Sequence, residues 1–232
     1  MIDWHCHILP ALDDGSGSVS ESLELLSLLA SQGIETVIAT PHFFADSESV
    51  DSFINRRQHS FDTLTSSLTE DHPKILLGAE VKYYPGISRM NDLEKLCIEN
   101  TNLLLLEMPC SQWKEFTLRE LFEISATRGL KIILAHVERY FPMQDKSVWN
   151  SCLENGILIQ VNSSYLYEFF TKRKAISNLE RGKIHFIGSD CHNLKLRPPR
   201  IDEAFAVVKN KLGSDFLEQM NEFGYMILKK NI

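Results

Sequence analysis

Apolar residues along this chain come in short, nearly continuous runs: "IDWH", "ETVIAT", "KILLGAE", "NLLLLEMP", "LKIILAHV", "GILIQVNSS" and "KIHFIGSD". Each is followed by polar residues. That is the pattern of strands buried on both faces, as in a parallel sheet. Between the runs the period becomes helical. Residues 20–32 place Leu23, Leu26 and Ala30 on one stripe, widened by Leu25 and Leu29. Ser18 and Glu21 have capping-box spacing, and Gly33 is a C-terminal stop. Residues 47–70 predict a longer, polar helix with Phe61, Leu64 and Leu68 facing inward. "EFTLRELFEISATRG" predicts a third helix, ended by Gly129, and "RIDEAFAVVKNKLG" a late one.

Seven strands alternating with helices predict an α/β fold built of βα repeats. No Pro-, Gly- or Ser-rich linker, repeat or low-complexity tract divides the chain, so residues 1–232 are expected to form one domain. Two arrangements fit the pattern: an open doubly wound sheet and a closed barrel of seven strands.

Composition narrows the function. A formal net charge of −7 argues against nucleic acid or an anionic membrane as the main partner. The apolar runs are too short to span a bilayer, and no signal peptide is visible. The cysteines, Cys6, Cys97, Cys110, Cys152 and Cys191, are odd in number and scattered, which predicts reduced thiols in a cytoplasmic setting.

The polar residues that end the strands carry the chemistry. Strand one ends in His5 and His7, strand two in His42, strand three in Glu80, strand four in Glu107, strand five in His136, and strand seven in Asp190 and His192. In parallel barrels and open α/β sheets, sites are built at that end. One such residue would be an ordinary cap or ion-pair partner; six of the seven strands sharing the feature predict a common site. His59, His72 and His185 fall elsewhere and are read as structural or surface residues. Alternation along a strand turns His5 and His7 one way and Cys6 the other, and pairs Asp190 with His192 while excluding Cys191. Imidazole and carboxylate without thiolate suit Mn, Fe or Zn in a hydrolytic site. With Asp14 of "LDDG", nine candidate ligands are too many for one ion and predict two or three. Three divalent ions would carry about +6 against about −4 from the carboxylates, leaving a cleft that attracts a phosphate monoester. A water there would have its pKa lowered toward ~7.

"DWHCH…DDG", "TPHF", "GAE", "HVERY" and "SDCHNLKLRPP" together resemble the PHP (polymerase and histidinol phosphatase) superfamily. More closely, they resemble the bacterial manganese-dependent protein tyrosine phosphatases of capsule and exopolysaccharide synthesis, the CpsB/YwqE type. The resemblance runs from Met1 to about Arg200. It implies a distorted TIM-like (βα)7 barrel with three metals. One is held by His5, His7, Glu80 and Asp190, with Glu80 bridging to a second. Glu107 and His136 complete the second, and Asp14, His42 and His192 hold the third. It further implies Mn2+ as cofactor, His136 and Asp190 among the catalytic groups, and an autophosphorylated bacterial tyrosine kinase as partner and substrate.

Arg139 could clamp phosphate oxygens bidentately or pair with Glu138 or another acid; the resemblance favours the phosphate. Arg197 has the same two readings. Asn162 is expected to order its loop. Cys191 and Arg197 also have the spacing of thiol-dependent tyrosine phosphatases. No glycine lies between them and two leucines crowd the segment, so metal chemistry is expected instead. A small-molecule phosphatase such as one for histidinol phosphate, and a non-catalytic metal-bound regulator of a kinase, stay open beside the protein phosphatase.

Overall fold

In the computed structural model, which describes residues 1–229, all strand pairing is parallel. β1 (Ile2–Cys6), β2 (Thr36–Ala39) and β4 (Lys74–Leu77) form one sheet, in the order β1-β2-β4. The other sheet is ordered β3 (His42–Phe43), β5 (Glu80–Lys82), β6 (Leu103–Glu107), β7 (Lys131–Leu134), β8 (Leu158–Asn162) and β9 (Phe186–Gly188). β2 fills the predicted run "ETVIAT" and β3 begins just past it, while β4 and the start of β5 divide "KILLGAE" between them. The seven predicted strands therefore occupy seven consecutive positions. The last three residues of the predicted 1–232 unit lie outside the described residues.

The breaks have a local cause. Pro41 separates β2 from β3 and has no N–H for the ladder. Its carbonyl instead accepts from Glu80 N at 3.0 Å, while Gly78 N donates to Ala39 O at 2.8 Å. The ring then closes. Asp190 N donates to His5 O (2.7 Å), His7 N donates to Cys191 O (2.9 Å), and Cys6 pairs with Cys191. The architecture is thus a distorted closed barrel, not an open sheet.

Alternation sorts the strand side chains. Leu104, Leu106, Ile132, Leu134, Ile159 and Val161 belong to the larger apolar core with the helices, while Leu105, Ile133, Leu158 and Phe186 form a second, smaller cluster. That cluster is continued by Ile227 and Leu228 of the last helix, α8 (Ser214–Lys229), where Tyr225 Oη donates to Glu35 Oε2 (3.1 Å) just before β2. One end of the barrel is therefore sealed by apolar packing, and the other is left for polar chemistry.

The other helices are α1 (Val19–Ser31), α2 (Val50–Thr65), α3 (Glu115–Arg128), α4 (Lys146–Glu154), α5 (Ser164–Tyr167), α6 (Lys172–Glu180) and α7 (Ile201–Leu212). Ser18 caps α1, its hydroxyl accepting from Glu21 N (3.2 Å). The buried stripe of α1 is Ser22, Leu25, Leu26 and Leu29, with Leu23 and Ala30 only half-buried. α2 is shorter than the predicted 47–70. Its buried face is Val50, Phe53, Arg57, Ser60 and Leu64, while Phe61 and Leu68 are partly buried. Arg57 earns its buried position by donating to Gly78 O at 2.6 Å.

Candidate metal centre

Eight of the nine residues singled out by sequence converge into three groups in which the potential ligand atoms lie within 4.8 Å of one another: His7, Asp14, His42 and His192; His5, His7 and Asp190; His5, Glu80 and His136. Glu107 stands just outside, its Oε1 3.8 Å from His136 Nε2 and 3.9 Å from the Arg139 guanidinium. Glu80 is the hub. Its carboxylate lies 2.6 Å from His136 Nε2, 2.9 Å from His42 Nδ1, 3.2 Å from His5 Nε2 and 3.3 Å from His7 Nε2. Asp190 Oδ1 lies 3.6 Å from both His5 and His7.

The backbone delivers these side chains in more than one way. His5 lies in β1 and His7 just past it. β1 slips register between Asp3 and Cys6, the kind of irregularity that re-aims side chains beside a site. His42 and Glu80 open β3 and β5, so they stand at the strand breaks and not at strand ends as the sequence suggested. His136 and Asp190 follow their strands with positive φ, 31° and 52°, a region costly for non-glycine residues and concentrated at functional sites. Asp190 and His192 do share the site, but the left-handed turn at Asp190 achieves this, not simple alternation. Gly188 makes the close packing possible: a Cβ there would come within 2.6 Å of the His5 Cβ and 2.7 Å of Gln160 Nε2.

Several residues that support the site escaped sequence reading. In "LDDG" the residue expected at the site is Asp14, whose side chain is 64% exposed. Asp13, only 7% exposed, accepts from His7 Nδ1 (2.8 Å), Gly15 N (2.9 Å) and His42 N (2.9 Å). A carboxylate on the far nitrogen of an imidazole fixes its tautomer and orientation. Gln160 Oε1 accepts from His136 N (2.6 Å) and lies 3.4 Å from His5 Nδ1. The Tyr140 hydroxyl contacts His136 Nδ1 (3.2 Å) and accepts from Met108 N (3.0 Å). Asp3 accepts from Ser189 N and Oγ (2.8 and 2.6 Å) beneath the turn that carries Asp190. The paired aspartates were the one visible signal. Gln160 and Tyr140 carry no local motif.

Asn162 orders a candidate ligand more than its loop: its Nδ2 donates to Asp190 Oδ2 at 2.7 Å. Both arginines converge on the same oxygen, Arg139 at 2.8 Å and Arg197 at 2.7 Å. Arg197 also reaches His192 Nε2 at 2.8 Å. Neither guanidinium is paired with Glu138, and both are about 40% exposed at the mouth of the site. Cys6 and Cys191 are fully buried among apolar neighbours, and the Cys6 thiol faces Ile38 O (3.4 Å). His59 is exposed. His72 Nδ1 accepts from Thr69 N and His185 Nδ1 from Ile159 N, so none of the three enters the site.

The electrostatics are those of a site built for cations. Burial disfavours charge on His7, but Asp13 and Glu80 outweigh it and lift its pKa to about 10. For His5 burial likewise opposes charge, and Glu80 and Asp190 raise the pKa overall. Burial penalises the Glu80 and Asp190 carboxylates too, yet the surrounding imidazoles hold both well below the usual range. His192 is pushed the other way, to about 4, by burial and by neighbouring His7 and Arg197. His42 Nδ1 is buried 2.9 Å from Glu80 Oε2 but not aligned for a hydrogen bond to it. Two buried carboxylates ringed by histidines whose nitrogens face one another, His5 Nε2 and His7 Nε2 at 3.1 Å, fit divalent cations: each ion would replace protons that the site otherwise retains.

Comparison with known proteins identifies the family. Residues 1–223 match the family model for capsular polysaccharide synthesis, CpsB/CapC. The tyrosine-protein phosphatase YwqE of Bacillus subtilis is 33% identical over 238 residues, covering 99% of this chain and 92% of YwqE. The tyrosine-protein phosphatase CpsB of Streptococcus pneumoniae is 30% identical, covering 92% of each chain. A crystal structure from the pair YwqE of B. subtilis and CpsB of S. pneumoniae, metal-dependent tyrosine phosphatases, has a TM-score of 0.83 at 28% identity and covers 100% of this chain and 96% of that one. The family match over residues 1–223, the near full-length relatives and the shared fold agree: the chain belongs to the CpsB/CapC family.

Proposed function

We propose that this protein is a metal-dependent phosphatase that hydrolyses phosphotyrosine on a polypeptide. The observation that carries the reading is the convergence of three imidazole–carboxylate groups on one floor, with Arg139 and Arg197 meeting at Asp190 directly above it. His5, His7, Glu80 and Asp190 would hold one ion, Glu80, His136 and Glu107 a second, and Asp14, His42 and His192 a third. Divalent ions in such a site supply Lewis acidity toward phosphoryl oxygens and lower the pKa of water toward neutrality. Arg139 and Arg197 have donors to spare beyond Asp190, and their planar forks match phosphate oxygens. Asn162 holds Asp190 in place while they do so. Tyr140 holds the ring of His136, Gln160 holds the His136 backbone N–H, and Asp13 fixes the ring of His7.

Manganese is the proposed physiological ion, since oxygen- and imidazole-rich sites without thiolate suit it. The proposed substrate is an autophosphorylated bacterial tyrosine kinase that governs capsule or exopolysaccharide synthesis, and residues 1–232 are read as one working unit. The five free cysteines support a reducing cytoplasmic compartment. No described helix is long and apolar enough to cross a membrane.

The test is phosphate release by Mn-loaded protein from a phosphotyrosine peptide and from histidinol phosphate. The peptide should be the better substrate, with activity lost on chelation and restored by Mn2+. Full activity in protein shown by elemental analysis to be metal-free would end the proposal. A preference for histidinol phosphate would favour the small-molecule reading.

A further inference from the structure

The richest feature outside the metal floor is a cleft of about 620 Å³ that begins at Asp190, Arg139 and Arg197 and runs outward. Tyr167 and Glu168 at the end of α5, and Lys195 and Leu196 beside Arg197, also line it. Tyr167 is held against the Arg200 guanidinium, 4.9 Å from its ring centre. Immediately after Glu168 come Phe169 and Phe170, 88% and 94% exposed, their rings edge to face at 5.3 Å. Leu196, which also lines the cleft, is 88% exposed. Large apolar side chains left this open, clustered at the rim of a cleft, mark an interaction site.

Charge indicates what the rim contacts. The sequence continues Thr171, Lys172, Arg173 and Lys174, a run of three cations at the start of α6 in a chain whose net charge is −7. Lys172 and Arg173, which follow Phe170, and Lys195 of the cleft lining form no ion pair with a described residue. The rim therefore offers free positive charge and exposed aromatic surface in continuity with the groups that would hold the phosphate.

We infer that the Phe169–Phe170 segment, the first turn of α6 and the Lys195–Leu196 edge form a docking lip for the polypeptide on either side of the phosphotyrosine, selecting sequences with acidic residues and at least one apolar residue near it. The inference rests on the phosphotyrosine phosphatase reading and names the feature that distinguishes a polypeptide ester from a small one. A small aryl phosphate would fill only the inner cleft. A peptide leaving the cleft must pass over the lip, where burial of the phenylalanines and contact with the cations favour it.

The experiment measures kcat/KM of the Mn-loaded protein on three substrates: a phosphotyrosine peptide with acidic and apolar flanks, the same peptide with lysines in place of its acidic residues, and p-nitrophenyl phosphate. It compares the wild type with Phe169→Ser/Phe170→Ser and with Lys172→Glu/Arg173→Glu. The serine variant should lower the ratio of acidic-peptide to aryl-phosphate kcat/KM roughly tenfold, mainly through KM. The glutamate variant should reverse the preference between the two peptides. A ratio and a preference unchanged in both variants would overturn the docking lip while leaving the phosphatase reading intact. Failure of the wild type on all three substrates would instead bring down the phosphatase reading. Sedimentation with phosphatidylglycerol-containing vesicles covers the competing occupant. Vesicle binding lost in the variants while the peptide ratio stays constant would assign the lip to a membrane surface and overturn the inference.

Discussion

The floor of the cleft and its outer lip are built on opposite principles. On the floor, His5, His7, His136, Asp190 and His192 are all at most 4% exposed, and each is held by neighbours whose positions are set by the closure of the barrel. On the lip, Phe169 and Phe170 are almost wholly exposed and touch chiefly each other. Burying a phenylalanine contributes about 1.5–3 kcal/mol, so leaving two in water forgoes stability that a partner could recover. The difference separates two tasks. Chemistry depends on groups whose geometry tolerates little error, whereas recognition of a chain can rest on side chains that order when it arrives.

The comparison breaks most completely at the floor. His136→Ala and Asp190→Ala should each abolish nearly all phosphatase activity, by at least about a thousandfold, with the protein still folded by circular dichroism. Substantial activity in either variant would remove that residue from the chemistry. Next comes the hub. Glu80→Ala should strip more than one equivalent of metal, and Glu107→Ala about one or less, as measured by elemental analysis. Equal losses would show that Glu80 has no bridging role. A smaller effect is expected one step out. Asp13→Asn keeps the size but weakens the acceptor for His7 and His42 N, and should reduce metal affinity or kcat/KM about 10- to 100-fold; unchanged metal affinity and kcat/KM would show that Asp13 does not hold His7 in place.

Cys191→Ser sharpens the comparison by doing little. The thiol is buried against Cys6 and away from the arginines, so most activity should remain. An inactive variant with its metals still bound would restore a thiol mechanism despite the geometry. The smallest effect concerns stability. Burial pushes His185 down to about 4, and its Nδ1 must be unprotonated to accept from Ile159 N. Its pKa is thus depressed on folding, and the unfolded chain binds the proton first. The folded state loses stability as pH falls from about 6.5 toward 4. His185→Gln should flatten that part of a melting-temperature profile; an unchanged slope would place the proton elsewhere.

Much of the site could be read before the fold was seen, for a physical reason. Metal-capable residues are costly to bury without a partner, so histidines and acids placed directly after apolar strands stand out in sequence. Eight of the nine singled out do converge. Asp13 was passed over because adjacent aspartates look equivalent until one is seen to be 7% exposed and the other 64%. Gln160 and Tyr140 were invisible because an amide in a strand and a phenol after one are ordinary; only the register of β8 beside β7 and the turn after His136 bring them to it. The phenylalanines of the lip lie in a segment that no periodicity marked.

Local chemistry along the chain decided the strands, the first and third helices, the absence of a thiolate ligand set and the identity of most candidate ligands. These depend on neighbours in sequence: apolar runs, caps, and the step from strand to turn. Only the tertiary structure decided between open sheet and closed barrel, because that choice rests on Asp190 N and His7 N reaching across 183 or more residues to pair the last strand region with the first. It also decided that Pro41 would split a strand and put His42 and Glu80 at the break, and that left-handed turns at His136 and Asp190 would aim their side chains inward. Such strained conformations are unfavourable locally and persist because the surrounding barrel over-determines them.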